Sequence, residues 1–122
     1  MPIIDVRPVV SAKHALPAGV AQSLAEATAA ALKAKPGRVW VRVAEIDAKD
    51  YAENGCEVEE NELPVFVTVL HADLPDEDTR ADEVRSLSAV IASCLSRSVA
   101  RIHIEYAPSG RGRVAFGGKL VR

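Results

Sequence analysis

The chain is poor in the residues that mark redox, metal-binding or membrane proteins. Its 122 residues include two cysteines, one methionine and one tryptophan, and aromatic residues make up only 4%. Cys56 and Cys94 lie far apart, form no CxxC pair, and have no second Cys or His at ligand spacing. This argues against a disulfide and against a zinc site, and it fits a reduced, cytoplasmic protein. His14 and His71 also lack an acidic or Cys partner at metal spacing and are expected at the surface. No apolar run reaches the ~20 residues of a membrane span, and the start lacks the basic region and long apolar stretch of a signal peptide. Charge of one sign is missing too. Fifteen basic residues against 17 acidic ones leave a formal net charge of -2, which supplies no global field for nucleic acid or an anionic membrane. The single Arg-Gly stretch, Ser109 to Arg113, is too short for an RNA-binding tract and reads as a flexible turn.

What is present is apolar patterning. With 48% hydrophobic residues the chain suits one compact domain over residues 1–122. "PIIDVRPVV" is rich in β-branched residues and bounded by prolines, so a strand is predicted over about residues 2–8. From Leu16 to Lys35 the apolar positions Val20, Leu24, Ala27, Ala31 and Leu32 recur on one helical face. "KPG" stops that helix, and "RVWVRVAEI" then alternates Val39, Val41 and Val43 with Arg38, Trp40 and Arg42, as a strand does.

The order then repeats. "LPVFVTVLHAD" is a strand, Pro75 to about Ser98 a helix with Val84, Leu87, Ile91, Cys94 and Leu95 inward, and "RIHIEY" a strand. Pro2 matches Pro64 at an offset of 62, and Arg38, Val39, Val41 and Gly55 match Arg101, Ile102, Ile104 and Gly118 at an offset of 63. Two units, about 2–55 and 64–118, are joined by a polar linker at about 56–63. They are expected to lay their strands into one four-stranded mixed sheet with two helices on one face, an α/β (α+β) fold of tandem βαβ units. The other face, with Ile3, Trp40, Phe66 and Val69 assigned to the strands, is more apolar than water favours, so assembly in a ring with bare sheets inward follows.

Chemistry enters at the start of the chain. Removal of Met1 ahead of Pro2 would leave a secondary amine, and an α-amino group titrates at roughly 8. Apolar burial and nearby cations both disfavour its charged form, bringing it towards the range of a working base. A retained Met1 would make Pro2 an amide, as Pro64 already is. Arg38 and Arg42 flank Trp40 on one strand face and are candidates to pair a carboxylate bidentately. The bland reading of both arginines is a solvated strand face.

The proline after the initiator methionine, the two βαβ units and the terminal "RVAFGGKL" together resemble the tautomerase superfamily. "RVAFGGKL" is similar to the C-terminal hairpin of 4-oxalocrotonate tautomerase subunits. The fused length and "KPGRVWVRV" look more like macrophage migration inhibitory factor or 5-carboxymethyl-2-hydroxymuconate isomerase. The resemblance implies a homotrimer and an amino-terminal proline base, Pro2, in a pocket between subunits. It implies substrate contacts from Lys35, and from His103 and Glu105 at positions where the inhibitory factor has a tyrosine and an asparagine contributed by a neighbouring subunit. Lys13 lies where the family often keeps a cation. In the repeat alignment Glu53 stands opposite Phe116, and Tyr51 is the better match to the pocket aromatic of the family's hairpin. Glu53 also resembles the water-activating glutamate of the trans-3-chloroacrylic acid dehalogenases, against the bland reading of a solvated hairpin glutamate.

The implied function is a cofactor-free, metal-free keto-enol tautomerase acting on a small carboxylate-bearing substrate, a 2-hydroxy-dienoate or enol-pyruvate acid. No nucleic acid or membrane partner is implied. Two alternatives stand beside it: a non-catalytic trimeric binding module, and a Glu53-dependent hydratase or dehalogenase.

Overall fold

The computed structural model describes residues 2–122. β1 (Ile3–Val10) is followed by α1 (Val20–Ala31), β2 (Trp40–Val43) and the short β3 (Ile46–Asp47). The order then recurs with β4 (Val65–Leu70), α2 (Glu77–Leu95) and β5 (Ile102–Tyr106), and a hairpin of β6 (Ala115–Phe116) and β7 (Lys119–Leu120) closes the chain. The sheet runs β2-β1-β4-β5, with β3 pairing farther along β1. β1 is parallel to β2, β4 is parallel to β5, and the two halves meet antiparallel along β1 and β4.

The single strand expected over residues 38–46 is split. Val43 pairs with Val6 and Ile46 with Val9, so Pro8 faces the interruption between β2 and β3. A proline has no N–H to offer a ladder, and the pairing on that side resumes only beyond it. Both helices are shorter than their sequence patterns. α1 begins after Gly19, held at φ 71 without a side-chain cap, and α2 begins after Asp76, whose carboxylate accepts from Thr79 N at 2.8 Å. Their ends match closely. Lys33 and Ser96 both adopt φ 54, and Ala34 N and Arg97 N donate to the carbonyls of Ala29 and Ala92, each at 2.9 Å. These are left-handed C-terminal closures that satisfy otherwise orphaned carbonyls.

Alternation along the strands gives the sheet one buried and one open face. Ile4 and Val6 of β1, with Val65, Val67 and Val69 of β4, meet Leu24 of α1 and Leu87, Ile91 and Leu95 of α2. Thr28 joins this core where the helical pattern pointed to alanines; its hydroxyl donates to Leu24 O at 2.7 Å, so burial leaves no orphan. Val69, expected to contribute to the bare face, is fully buried beneath the helices, and Leu70 takes the open side. The open face is polar at its centre. Asp5 pairs with Arg42, and Glu105 accepts from Thr68 and lies 4.0 Å from Arg7. Its apolar residues gather at the ends: Ile3, Trp40 and Leu70 at one, Phe66 at the other.

Leu87 is 0% exposed at the α2–sheet contact, whereas Val99 is 55% exposed. Leu87→Ala is expected to cost ~2–5 kcal/mol in urea unfolding through lost burial and a residual cavity. Val99→Ala should stay within ~0.5 kcal/mol.

Candidate active site

Pro2 is buried at the entrance to β1, and its carbonyl accepts from Trp40 N at 3.1 Å. The next residue, Ile3, lies between Trp40 of β2 and Leu70 of β4 in the sheet register. The closing hairpin spans the same three strands. Phe116 packs edge-on against Trp40, ring centroids 4.8 Å apart at 75°, while Val114 shares with Leu70 the lining of a cavity of about 200 Å³. The hairpin therefore crosses over the first residues of β1. Gly117 and Gly118, at φ 57 and 83, allow the tight turn that folds it back. The protonation state of the Pro2 nitrogen depends on removal of Met1, which lies outside the described residues.

The predicted cations separate in space. Arg38 is exposed two residues before Trp40, ahead of β2, and forms no side-chain hydrogen bond or ion pair among the described residues. Arg42, expected to grip a substrate, is already taken: its Nε and one terminal nitrogen donate to the two Asp5 oxygens at 2.6 and 2.8 Å. That fork-to-fork contact raises the Arg42 pKa, and a second carboxylate would have to displace Asp5. Lys35 turns away from the open face and lines a cavity of about 480 Å³ with Gln22 and Glu26 of α1. Lys13 is exposed in the turn after β1.

At the opposite end of the sheet, beside Pro64, a second constellation forms. Tyr51 OH donates to Glu53 Oε2 at 2.6 Å, and Arg101 donates to the same oxygen at 2.8 Å. Arg101 Nε also donates to Glu62 O at 2.6 Å. The Phe66 ring lies 5.6 Å from Tyr51 and 5.5 Å from His103. Two hydrogen bonds, from Tyr51 first and then Arg101, hold the Glu53 carboxyl below the usual carboxylate range. Burial and the same carboxylate push the Tyr51 hydroxyl up. Glu53 thus lies at the sheet end away from Pro2, with its side chain 34% exposed, and one of its oxygens is engaged twice before any water arrives. Tyr51, expected as the pocket aromatic, is on this side as well.

Phe116 is the aromatic over the Pro2 end, and sequence reasoning passed it over. The signal was present in the alignment of Glu53 with Phe116 at an offset of 63. Glu53 bridges Cys56 just as Phe116 pairs with Lys119. Each half's hairpin covers the strand end of the other half, so Glu53 sits at Pro64 and Phe116 at Pro2. Within one chain His103 and Glu105, on β5, are three strand positions from Trp40, on β2. At ~4.8 Å per strand that is about 14 Å.

His71 is a second correction. Expected at the surface, it is mostly buried, with Nε2 2.8 Å from Glu83 Oε2 and its ring stacked 5.9 Å from Tyr106. The Tyr106 hydroxyl donates to the same Glu83 oxygen. Burial, then the Glu83 bond, pushes the Tyr106 hydroxyl well above its ordinary range. The partners come from β4, α2 and β5, so linear spacing carries no trace of the cluster. Cys56 and Cys94 are both free thiols.

A carboxyl whose pKa falls on folding stabilises the native state above its unfolded pKa and loses that contribution as pH drops through the folded value. Glu53→Gln is therefore expected to lower the urea midpoint at pH 7, and the gap from the parent should close below about pH 4. A gap unchanged at pH 3 would mean that Glu53 acts through packing rather than charge.

No helix among the described residues is long and apolar enough to cross a membrane. By sequence the chain matches no protein-family model and no curated protein. Its structure has clear likenesses. The macrophage migration inhibitory factor of Oncomelania hupensis superposes with a TM-score of 0.74 at 21% identity, over 99% of this chain and 82% of that one. A fused 4-OT symmetric trimer, Q0, superposes with a TM-score of 0.75 at 16% identity, over 98% of this chain and 94% of that one. Pt0534, solved after inactivation by 2-oxo-3-pentynoate, gives a TM-score of 0.74 at 12% identity, over 98% of this chain and 94% of that one. Two strand–helix–strand halves on one mixed sheet thus give this chain the fold of these macrophage migration inhibitory factor and fused 4-OT structures.

Proposed function

We propose that the protein is a cofactor-free keto-enol tautomerase with Pro2 as its base. The observation that supports this reading is that Pro2 is buried at the strand entrance, with its carbonyl bonded to the backbone of Trp40, whose ring packs against Phe116. As a free secondary amine, the Pro2 nitrogen would take the proton of an enol hydroxyl. The oxygen's electron pair forms the carbonyl, the carbon–carbon double bond shifts, and the protonated amine returns its proton to carbon. No atom is gained or lost. Arg38 supplies the positive charge that steadies the anionic substrate and its developing enolate. The fold likeness supports the reading: Pt0534 was inactivated by a short 2-oxo acid, which is the substrate class proposed here.

Assembly is part of the proposal. His103 and Glu105 face the open side of β5, at the edge opposite Trp40, so they join a Pro2 site only when a second copy brings its β5 edge alongside. The fused 4-OT neighbours are trimers, and a half-exposed Trp40 on an uncovered sheet face fits a homotrimer with the sheets inward. The Glu53-dependent hydratase reading has weaker support, because Glu53 lies at the Pro64 end with its carboxylate doubly bonded.

Two outcomes are expected. Ketonisation of 2-hydroxymuconate or phenylpyruvate enol, followed by ultraviolet absorbance on methionine-free protein, should run well above buffer and fall to the buffer rate in Pro2→Ala. No rate above buffer with either enol would sink the tautomerase reading and favour a non-catalytic trimer. Light scattering should give three times the 13.0 kDa chain mass. A monomer at micromolar concentration would remove the shared site.

A further inference from the structure

Two arginines lie two residues apart in the segment that leads into the closing hairpin, and they meet different fates. Arg111 is fully committed: it pairs through Nε with Asp73 at 2.7 Å, through a second nitrogen with the other Asp73 oxygen, and through a third with the Arg122 carbonyl. Arg113 forms no side-chain hydrogen bond or ion pair among the described residues, and it lines the 200 Å³ cavity with Leu70, Ala107, Pro108, Gly110 and Val114. Apart from Arg113 that lining has no charged side chain. An apolar hollow with one convergent cation is the composition of a site for a small organic anion.

The segment bearing Arg113 was expected to be a flexible turn, but it is fastened to the end of β4. Ala107 N donates to Val69 O at 2.9 Å, Gly110 N to His71 O at 2.8 Å, Arg111 N to Ala72 O at 2.9 Å, and Leu74 N to the Ser109 hydroxyl at 2.8 Å. Arg113 N itself closes on Gly110 O at 2.8 Å, and Gly112 N is bonded to Val121 O at 2.6 Å. The backbone is thus held before any ligand arrives, and binding orders only one long side chain. The cavity adjoins Leu70, the β4 partner of Ile3, so it lies one strand over from the residue after Pro2, on the side away from Trp40.

We infer that Arg113 anchors the carboxylate of a short-chain 2-oxo acid or its enol, with the alkyl tail in the hollow beside Leu70 and Val114. This rests on Pro2 being the reactive group, and it divides the work between two arginines: Arg113 holds the carboxylate on the β4 side, and Arg38 faces the enolate oxygen on the β2 side. At ~30 Å³ per water the hollow has room for about six or seven waters, enough for an acid of about five carbons. A guanidinium–carboxylate fork fixes orientation as well as charge, which is what a proton shuttle between two carbon or oxygen positions needs.

Binding is read by isothermal titration calorimetry, with fluorescence of Trp40, the chain's single tryptophan, as a second readout at this end of the sheet. The probe is 2-oxopentanoate, titrated against the parent, Arg113→Gln and Arg113→Lys, with uncharged 2-pentanone as control. The parent should bind the acid, Arg113→Gln at least tenfold more weakly and Arg113→Lys in between, while 2-pentanone responds to neither substitution. In ketonisation assays Arg113→Gln should raise KM by a similar factor and leave kcat within threefold, whereas Arg38→Gln should lower kcat. Equal affinity of the parent and Arg113→Gln for the acid, or no binding by the parent, overturns the assignment. Arg113-dependent binding without turnover would sustain the anchor while sinking the tautomerase reading. Turnover lost in Pro2→Ala but indifferent to Arg113 would do the reverse.

Discussion

The antiparallel pairing of β1 with β4 is the contact on which the rest of the molecule depends. Six residue pairs, from Ile3 with Leu70 to Pro8 with Val65, join the two strand–helix–strand halves. The pairing aligns Ile4 and Val6 with Val69 and Val67 on one face, which gives α1 and α2 a common apolar floor. A slip of one residue would turn the apolar side chains of the slipping strand to the open face. Because the two strands run in opposite directions, the start of each half lies beside the end of the other. Pro2 therefore comes under the second hairpin, and Pro64 beside the first.

That exchange makes the two sheet ends chemically unequal. At the Pro64 end the hairpin delivers Tyr51 and Glu53 to Arg101, and three polar groups satisfy one another. At the Pro2 end it delivers Phe116 to Trp40, and among the described residues Arg38 and Arg113 have no carboxylate partner. A closed network adds stability and holds shape, whereas an unpaired cation beside an apolar hollow keeps its attraction for a ligand. The open face between them follows the same division. Asp5 neutralises Arg42 at its centre, so Arg42 of β2 is already paired on the face that Trp40 shares.

The polar cluster of His71, Glu83 and Tyr106 serves the architecture from the helix side. Glu83 reaches from α2 to receive Tyr106 of β5 and to meet His71 at the end of β4, tying three elements at one point. The His71 carbonyl accepts Gly110 N, so the same point fastens the segment that carries Arg113. Burying such groups is tolerable because each finds a partner.

Much of this was legible in the residues alone. Alternation in "RVWVRV" and "RIHIEY", helical spacing from Val20 to Leu32, and the offset of 63 determined the strands, the helices and their duplication, because side-chain period and backbone geometry are local properties. Pro2 stood out for a local reason too, as the proline directly after Met1. Partnerships were not legible. That Arg42 would be consumed by Asp5, 37 residues away, and Arg111 by Asp73, 38 residues away, depends on strand register and loop docking. That Phe116 would pack on Trp40 and Tyr51 on Phe66 depends on the hairpins crossing between halves. The sequence by itself determined which side chains exist and which faces they share. Only the tertiary structure decided which charges are already neutralised, because pairing is a matter of a few ångströms between groups the chain order keeps far apart.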